Sequence, residues 1–224
     1  MGSEGHSAPR FFVLGHAIGF NHDTSFERIG GTIGEAPRCP DCGAFTGMRT
    51  WLPPLRGELK LNGKEFGDFV GGPGGGYLVT DRFMESFRME GLTGLSGFQP
   101  VEIVHVRGRR RAADSASAPR YFYTTPVFGG AAVDEGRSRI RRAAPITCDA
   151  CRETNVDTIH GFALEKETWR GEDVFYARGL PGSAVVSERF VHFVERHHLT
   201  NMLLTPTEEY TWDPLQLGPP RPVL

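Results

Sequence analysis

The 224-residue sequence lacks the features that mark several large classes of protein. It has no apolar run near the ~20 residues that a membrane-spanning helix needs. Its first residues carry neither the basic start nor the apolar stretch of a secretory signal. The formal net charge is only −2, so no overall charge excess favours nucleic acid or a membrane surface. We therefore expect a cytoplasmic protein that does not bind membranes.

The common sequence signatures of catalysis are also missing. There is no Gly-x-Ser-x-Gly and no His-Glu-x-x-His, and the glycine-rich residues 71–76 lack the Lys-Ser/Thr ending of a phosphate loop. The charged residues 169–173 are typical of a solvated turn. No catalytic residue and no organic cofactor are predicted, which favours a protein that is not an enzyme.

The four cysteines form two Cys-x-x-Cys pairs, the strongest motif in the chain. In a reducing compartment such pairs indicate metal or redox chemistry before disulfides. Two thiolates three positions apart can bind one tetrahedral Zn²⁺ at ~2.3 Å each. Because no cysteine is left over, we predict one structural zinc ion that both pairs share. The predicted ligands are Cys39, Cys42, Cys148 and Cys151.

Two other interpretations of the pairs are open. Each pair could be two buried thiols, or one pair could be a thioredoxin-like redox site at the start of a helix. No helical periodicity follows the first pair in residues 44–47, which argues against redox use. A closed four-thiolate site has no open position for water or substrate, so it would stabilise the fold without catalysing a reaction.

The chain also contains two similar segments, which indicate an internal duplication. Residues 78–83 (LVTDRF) match residues 185–190 (VVSERF), and residues 92–95 (LTGL) match residues 199–202 (LTNM). One Cys-x-x-Cys pair precedes each segment at a similar distance. In each copy a hydroxyl residue is placed to cap a helix, and an acid follows at the positive end of the helix dipole.

We predict an α+β fold of two pseudo-repeated halves, each with short strands and one main helix, joined by the two zinc knuckles. Residues 1–106 form the first half with the CPDC pair, and residues 120–224 form the second half with the CDAC pair. Residues 107–119, rich in Arg, Ala and Ser, are a predicted linker or loop. Further strands are predicted at residues 11–14, 58–61, 101–106, 121–123, 162–164, 173–176 and 202–204.

Two arginine clusters flank the boundary between the halves. If they lie on one face they could bind a phosphate backbone, and an acidic protein partner is another possibility. They are also compatible with exposed loops in a near-neutral protein. The clusters comprise Arg107, Arg109, Arg110, Arg111, Arg137, Arg139, Arg141 and Arg142.

The two cysteine pairs, the first written CPDCG at residues 39–43, resemble the paralogous double-CXXCG proteins of myxobacteria. Members of that family are regarded as immunity proteins against toxins exchanged with kin. Residues 78–98 also look like a segment common in immunity proteins against polymorphic toxins. The resemblance transfers only the four cysteines and no catalytic residue, and Arg152 replaces the glycine of the second motif.

The sequence therefore predicts a non-catalytic, zinc-stabilised binding protein that neutralises a cognate protein toxin by direct binding. One alternative is a zinc-ribbon-type nucleic-acid-binding protein that uses the arginine clusters. The other alternative is an enzyme accessory protein.

Overall fold

The computed structural model describes residues 9–108 and 118–220. It has a mixed α/β structure with one large curled sheet, two small sheets and two helices. Its strands are β1 (Phe11–His16), β2 (Thr24–Arg28), β3 (Thr32–Ile33), β4 (Trp51–Leu52), β5 (Leu55–Leu61), β6 (Phe69–Gly71), β7 (Tyr77–Thr80), β8 (Leu95–Gly108), β9 (Tyr121–Val133), β10 (Ile140–Arg142), β11 (Val156–His160), β12 (Leu164–Glu165), β13 (Val174–Arg178), β14 (Leu180–Ser187), β15 (Met202–Pro206) and β16 (Thr211–Trp212).

Eleven strands form the large sheet, and its main path runs β15-β1-β14-β13-β9-β8-β5-β2. Strands β7 and β12 join β9 off this path, and β6 pairs with β7. The small sheets are β10-β11-β16 and β3-β4. Since the main path takes strands from both sides of residues 107–119, the two predicted halves share one sheet. The division into halves remains a prediction.

Two nine-residue helices, α1 (Asp81–Met89) and α2 (Glu188–Arg196), begin where the sequence predicts. Thr80 Oγ1 accepts a hydrogen bond from Phe83 N at 3.3 Å, and Ser187 Oγ accepts one from Phe190 N at 3.2 Å. Gly91 follows α1 in the left-handed conformation, with φ of 63°. Within the described residues, no helix is long and apolar enough to cross a bilayer.

The helices bury phenylalanines against each other over one face of the sheet. Phe83 and Phe193 meet edge to face with ring centroids 5.5 Å apart, and Phe87 contacts Phe193 at 6.0 Å. Phe83, Phe190 and Phe193 are fully buried. Such aromatic pairs contribute about 0.5–1.5 kcal/mol each beyond the apolar area they bury, so this cluster joins the two helices firmly.

The first strand on each side of residues 107–119 lies beside the strand that leads into the helix of the other side. Strand β1 pairs antiparallel with β14, with Phe11 opposite Ser187. Strand β9 pairs antiparallel with β7, with Tyr121 opposite Thr80. Each first strand therefore pairs with the strand that leads into the helix on the other side of residues 107–119.

The arginine before each of these first strands contacts the start of the neighbouring helix. Asp81 N donates to Arg120 O and Glu188 N donates to Arg10 O, both at 3.1 Å. The side chains of the same residues form ion pairs, Arg120 with Asp81 at 3.1 Å and Arg10 with Glu188 at 3.9 Å. Because these ion pairs are largely exposed, we expect each to contribute less than about 1 kcal/mol.

Several predicted strands are longer or shorter in the structure. Strand β8 extends over 14 residues because a bulge at Gly97 and Phe98, both with positive φ, lets the chain stay in the sheet. Of residues 162–164, only Leu164 lies in a strand, because Phe162 N donates to Thr207 O at 2.9 Å outside any ladder. At the predicted linker, residues 107–108 end β8, and residues 109–117 lie outside the described residues.

Candidate metal centre

The two cysteine pairs, far apart in sequence, meet in space. Their four Sγ atoms all lie within 4.8 Å of one another. The closest contacts join one pair to the other, with Cys39 Sγ 3.9 Å from Cys148 Sγ and Cys42 Sγ 3.6 Å from Cys151 Sγ. Cys39 and Cys151 are buried and Cys42 is exposed, so the cluster lies at the surface with half of its thiols covered.

The sulfur positions fit a tetrahedral metal ion. When four sulfurs surround Zn²⁺ at ~2.3 Å, any two of them lie about 3.8 Å apart. The two cross-pair distances of 3.6 and 3.9 Å lie on either side of that value. The residues present can therefore hold one metal ion, and a tetrahedral set of four sulfurs is typical of zinc and iron–sulfur centres.

The first knuckle, residues 39–43, is a tight turn between β3 and β4. Gly43 N donates to Cys39 O at 2.9 Å and Cys39 N donates to Ala44 O at 2.8 Å, and these two bonds close the turn. Gly43 has φ of 73°, a conformation that glycine adopts without steric cost. Arg38 lies over the Phe45 ring at 4.1 Å and closes the base of the turn.

The second knuckle, residues 148–152, repeats this turn between β10 and β11 without a glycine. Arg152 N donates to Cys148 O at 2.8 Å, and Arg152 has φ of 53°, in the same left-handed region as Gly43. This conformation costs a non-glycine residue about 1–2 kcal/mol. The Arg152 side chain offsets part of that cost, since Nη1 donates to Glu165 Oε1 at 2.6 Å and to Val133 O at 3.1 Å.

Other arginines attach the second knuckle to the rest of the fold. Arg178 Nη2 donates to Asp149 O at 2.8 Å, inside the knuckle itself. Gly179 N donates to Cys151 O at 2.9 Å, and Arg142 Nη1 donates to Gly179 O at 2.8 Å. The second knuckle is thus fixed by the turn between β13 and β14, which the sequence analysis did not single out.

The pKa values of the two thiols in the second knuckle, half-buried Cys148 and buried Cys151, are shifted in opposite directions. The pKa of Cys148 is lowered to about 7, chiefly because the backbone N–H of Cys151 stabilises its thiolate. The pKa of Cys151 is raised to about 12, chiefly because burial disfavours the charged form. The second knuckle therefore favours a thiolate at Cys148 and a thiol at Cys151, whereas four thiolates together would repel one another. A divalent cation removes that repulsion, so its binding would release protons.

The arginine clusters mostly bond within the chain where the structure describes them. Arg141 Nη2 donates to Leu217 O at 3.3 Å, and three other members form ion pairs at 2.5–2.6 Å. These ion pairs are Arg107–Glu58, Arg137–Asp134 and Arg142–Glu135. Arg109, Arg110 and Arg111 lie outside the described residues. Several of these arginines therefore already have hydrogen-bond or ion-pair partners within the chain, and a bound phosphate is not needed to account for their presence.

The chain segments that contain the two knuckles differ in their exposed apolar side chains. Residues 29–52, which contain the first knuckle, present five large apolar side chains that are 40–45% exposed. Residues 138–161, which contain the second knuckle and are all described, present none. The exposed set, here called the first-knuckle surface, consists of Ile29, Ile33, Phe45, Met48 and Leu52.

Comparison with known proteins leaves the chain without a family assignment. No protein-family model matches it, and no curated protein matches it significantly. The resemblance to the double-CXXCG family therefore stays a prediction from the motifs, and the cysteine cluster has to be interpreted from its own geometry.

Proposed function

We propose that this chain is a non-catalytic, cytoplasmic binding protein, stabilised by one zinc ion, that neutralises a cognate protein toxin by direct binding. The observation that carries the proposal is the four-thiol cluster, whose spacing matches a closed tetrahedral site. Such a site stabilises structure and leaves no position for a substrate. Obstruction of a toxin needs a rigid complementary surface and no chemistry of its own.

The first-knuckle surface supports a protein partner. Five partly exposed apolar side chains lie in one 24-residue segment, and a concentration of exposed apolar groups commonly marks an interaction site. The zinc ion would hold the turn beside Phe45. Ile33 and Leu52 lie in the β3-β4 pair, where Ile33 is opposite Trp51 and Leu52 is opposite Thr32, so their side chains extend from opposite faces of the pair. The metal would thus stabilise the part of the first-knuckle surface around Phe45.

We also infer that the two halves arose by duplication. Supporting this, both helices begin on a hydroxyl N-cap after a strand, and both knuckles use the same backbone turn. The pairing of β1 with β14 matches the pairing of β9 with β7, residue for residue at the helix starts. In this view each half contributes one cysteine pair to a single shared metal ion.

Metal content tests the structural part of the proposal. Protein purified without chelator should contain one zinc per chain, measured by elemental mass spectrometry. Cys39→Ser and Cys148→Ser should each lose the metal and much of the thermal stability, because a shared site needs both pairs. The control Asp41→Ala changes a residue between two ligands and should keep the zinc. Metal-free native protein with reversible disulfides would instead favour the redox interpretation.

Co-expression with a toxin encoded beside the gene tests the functional part. The wild-type chain should restore growth and co-purify with the toxin. Leu52→Asp places a charge in the first-knuckle surface and should abolish both effects while zinc content and melting temperature stay unchanged. Leu215→Asp, at a 71% exposed apolar residue outside that surface, is the matched control and should still protect. Absence of protection by the wild-type chain would contradict the proposed toxin partner.

A further inference from the structure

Strand β15 forms one end of the large sheet. Its one partner among the described residues is β1, with His16 opposite Met202 and Phe12 opposite Pro206. The opposite end of the sheet is β2, which pairs with β5. Each terminal strand exposes one row of backbone N–H and C=O groups, and such a row can pair with another strand.

The hydrogen bonds to β1 show which groups of β15 point away from the sheet. Ala17 N donates to Asn201 O and Thr207 N donates to Phe11 O, both at 3.1 Å. Hydrogen bonding alternates along an antiparallel strand, so Leu203 bonds to β1 as Asn201 and Thr207 do. Thr205 bonds to β1 by the same alternation. The N–H and C=O groups of Met202 and Leu204, and the C=O of Pro206, therefore face outward.

The two terminal strands differ in how they are protected against pairing. Strand β2 carries Glu27 and Arg28, and charged side chains of this kind discourage edge-to-edge association. Strand β15 (MLLTP) has no charged residue, and its Leu203 side chain is 54% exposed. Ile18 and Phe20, which are 70% and 68% exposed, lie in the loop that leaves β1 beside Met202.

We propose that β15 pairs antiparallel with β15 of a second copy of this chain, which joins the two large sheets across a two-fold axis. A two-fold interface must be complementary to itself. An uncharged strand meets this requirement because no like charges are brought together. The exposed apolar side chain of Leu203 would be covered by its own counterpart.

The register of this pairing follows from Pro206. If the two-fold axis passes at Leu204, Met202 lies opposite Pro206, which has no N–H to donate. If the axis passes at Leu203, Met202 of each copy lies opposite Leu204 of the other, and all four outward N–H groups find a carbonyl. The axis at Leu203 also makes it a non-hydrogen-bonded pair, with the two Cα atoms about 4.5 Å apart.

The oligomeric state of the intact, zinc-loaded chain tests the pairing. Sedimentation velocity over a range of concentrations should show a monomer–dimer equilibrium. Leu203→Lys brings two charges together at the axis and should raise the dissociation constant about tenfold or more. Leu215→Lys makes the same change at another exposed leucine and should leave the equilibrium unchanged. Circular dichroism of each variant checks that it is folded.

A covalent readout tests the register without relying on a weakened dimer. Leu203→Cys places two thiols within the Cα separation of about 4.4–6.8 Å that a disulfide requires. Mild oxidation with oxidised glutathione should then give a covalent dimer, whereas Leu215→Cys and the wild-type chain should not. A chain that is monomeric at every concentration, or a dimer unaffected by Leu203→Lys, would overturn the proposal. Neither result depends on the toxin partner proposed above.

Discussion

The starts of the two helices are held by corresponding networks that differ in the number of hydrogen bonds. The first anchor is centred on Asp68, which is buried at the end of the loop before β6. Its carboxylate accepts five hydrogen bonds, from the side chain of Thr80, from two nitrogens of Arg82, and from the N–H and hydroxyl of Thr200. Thr200 Oγ1 donates at 2.9 Å and Thr80 Oγ1 also at 2.9 Å.

The second anchor is centred on Asp173, which is 1% exposed just before β13. Its carboxylate accepts three hydrogen bonds, from Ser187 Oγ at 2.8 Å, from Arg189 Nη1 at 3.0 Å and from Thr93 N at 2.9 Å. Here the threonine contributes its N–H alone, and its side chain is exposed.

Both anchors join the start of one helix to the end of the other. Arg82 of α1 donates to His197 O at the end of α2, and Arg189 of α2 donates to Glu90 O at the end of α1. The comparison shows that the arrangement of the networks is shared, whereas the number of bonds on each carboxylate is not. Differences in stability between matched substitutions should therefore follow the bond count.

The largest expected effect is the loss of either buried carboxylate. Asp68→Ala should lower the free energy of unfolding by about 3–4 kcal/mol and Asp173→Ala by about 2–3 kcal/mol, since buried donors lose their acceptor. Urea unfolding of both variants measures the difference. Glu85→Ala, on the exposed face of α1, is the control and should change stability little. Equal losses at the two aspartates would mean that bond count does not control anchor strength.

The threonines should differ more clearly than the aspartates. Thr200→Val keeps the side-chain shape but removes a hydroxyl that donates to the Asp68 carboxylate and accepts from Asp68 N, and should cost about 1.5–3 kcal/mol. Thr93→Val removes no hydrogen bond to Asp173 and should stay within about 0.5 kcal/mol of wild type. Thermal or urea unfolding of the two variants side by side provides the measurement. A large loss for Thr93→Val would show that the second anchor also uses the hydroxyl.

A smaller effect is expected at the knuckles, where Gly43 holds the left-handed position of the first turn and Arg152 that of the second. Gly43→Ala should cost about 1 kcal/mol, because Gly43 has positive φ while an added Cβ would meet nothing within 4 Å. Gly182→Ala is the matched control, since its Cβ also meets nothing and no positive φ is required. The control should be neutral or slightly stabilising. Chemical unfolding of both variants, purified without chelator, compares them, and an equal response would argue against backbone strain.

The smallest effect concerns Glu90 and His197, which occupy matching C-cap positions of α1 and α2 and bond to each other. The Arg196 guanidinium, followed by His197, lowers the pKa of Glu90. A lowered pKa in the folded state adds stability above the ordinary carboxyl pKa of about 4.3, and this gain disappears as the pH falls through the lower folded value.

Glu90→Gln should therefore be less stable than wild type at neutral pH and equal to it in strong acid. Urea midpoints of both proteins, measured from neutral pH to about pH 3, follow the difference across the carboxyl range. A difference that persists unchanged to the acid end would assign it to packing and not to the charge of Glu90.

Local sequence was sufficient for several elements of this structure. Thr80 and Ser187 cap helices because a hydroxyl followed by an acid satisfies the first free N–H groups whatever the rest of the fold does. The backbone hydrogen bonds that close each Cys-x-x-Cys turn are also local. Arg152 takes the left-handed position of the second turn, but its side chain is held by Glu165 and Val133, which lie outside that turn. The spacing of the four cysteines is therefore enough by itself to make them a candidate metal site.

Only the tertiary structure decided which distant segments meet. Three features join residues that are more than 40 positions apart in the sequence. Strands β1 and β9 pair with β14 and β7, the strands that lead into α2 and α1; Asp68 lies beside Thr200; and the two cysteine pairs are in contact. Periodicity reports which face of a strand is buried, but many strands share that pattern and could pair. The choice among them depends on packing and hydrogen bonding summed over the whole sheet, which no local segment contains.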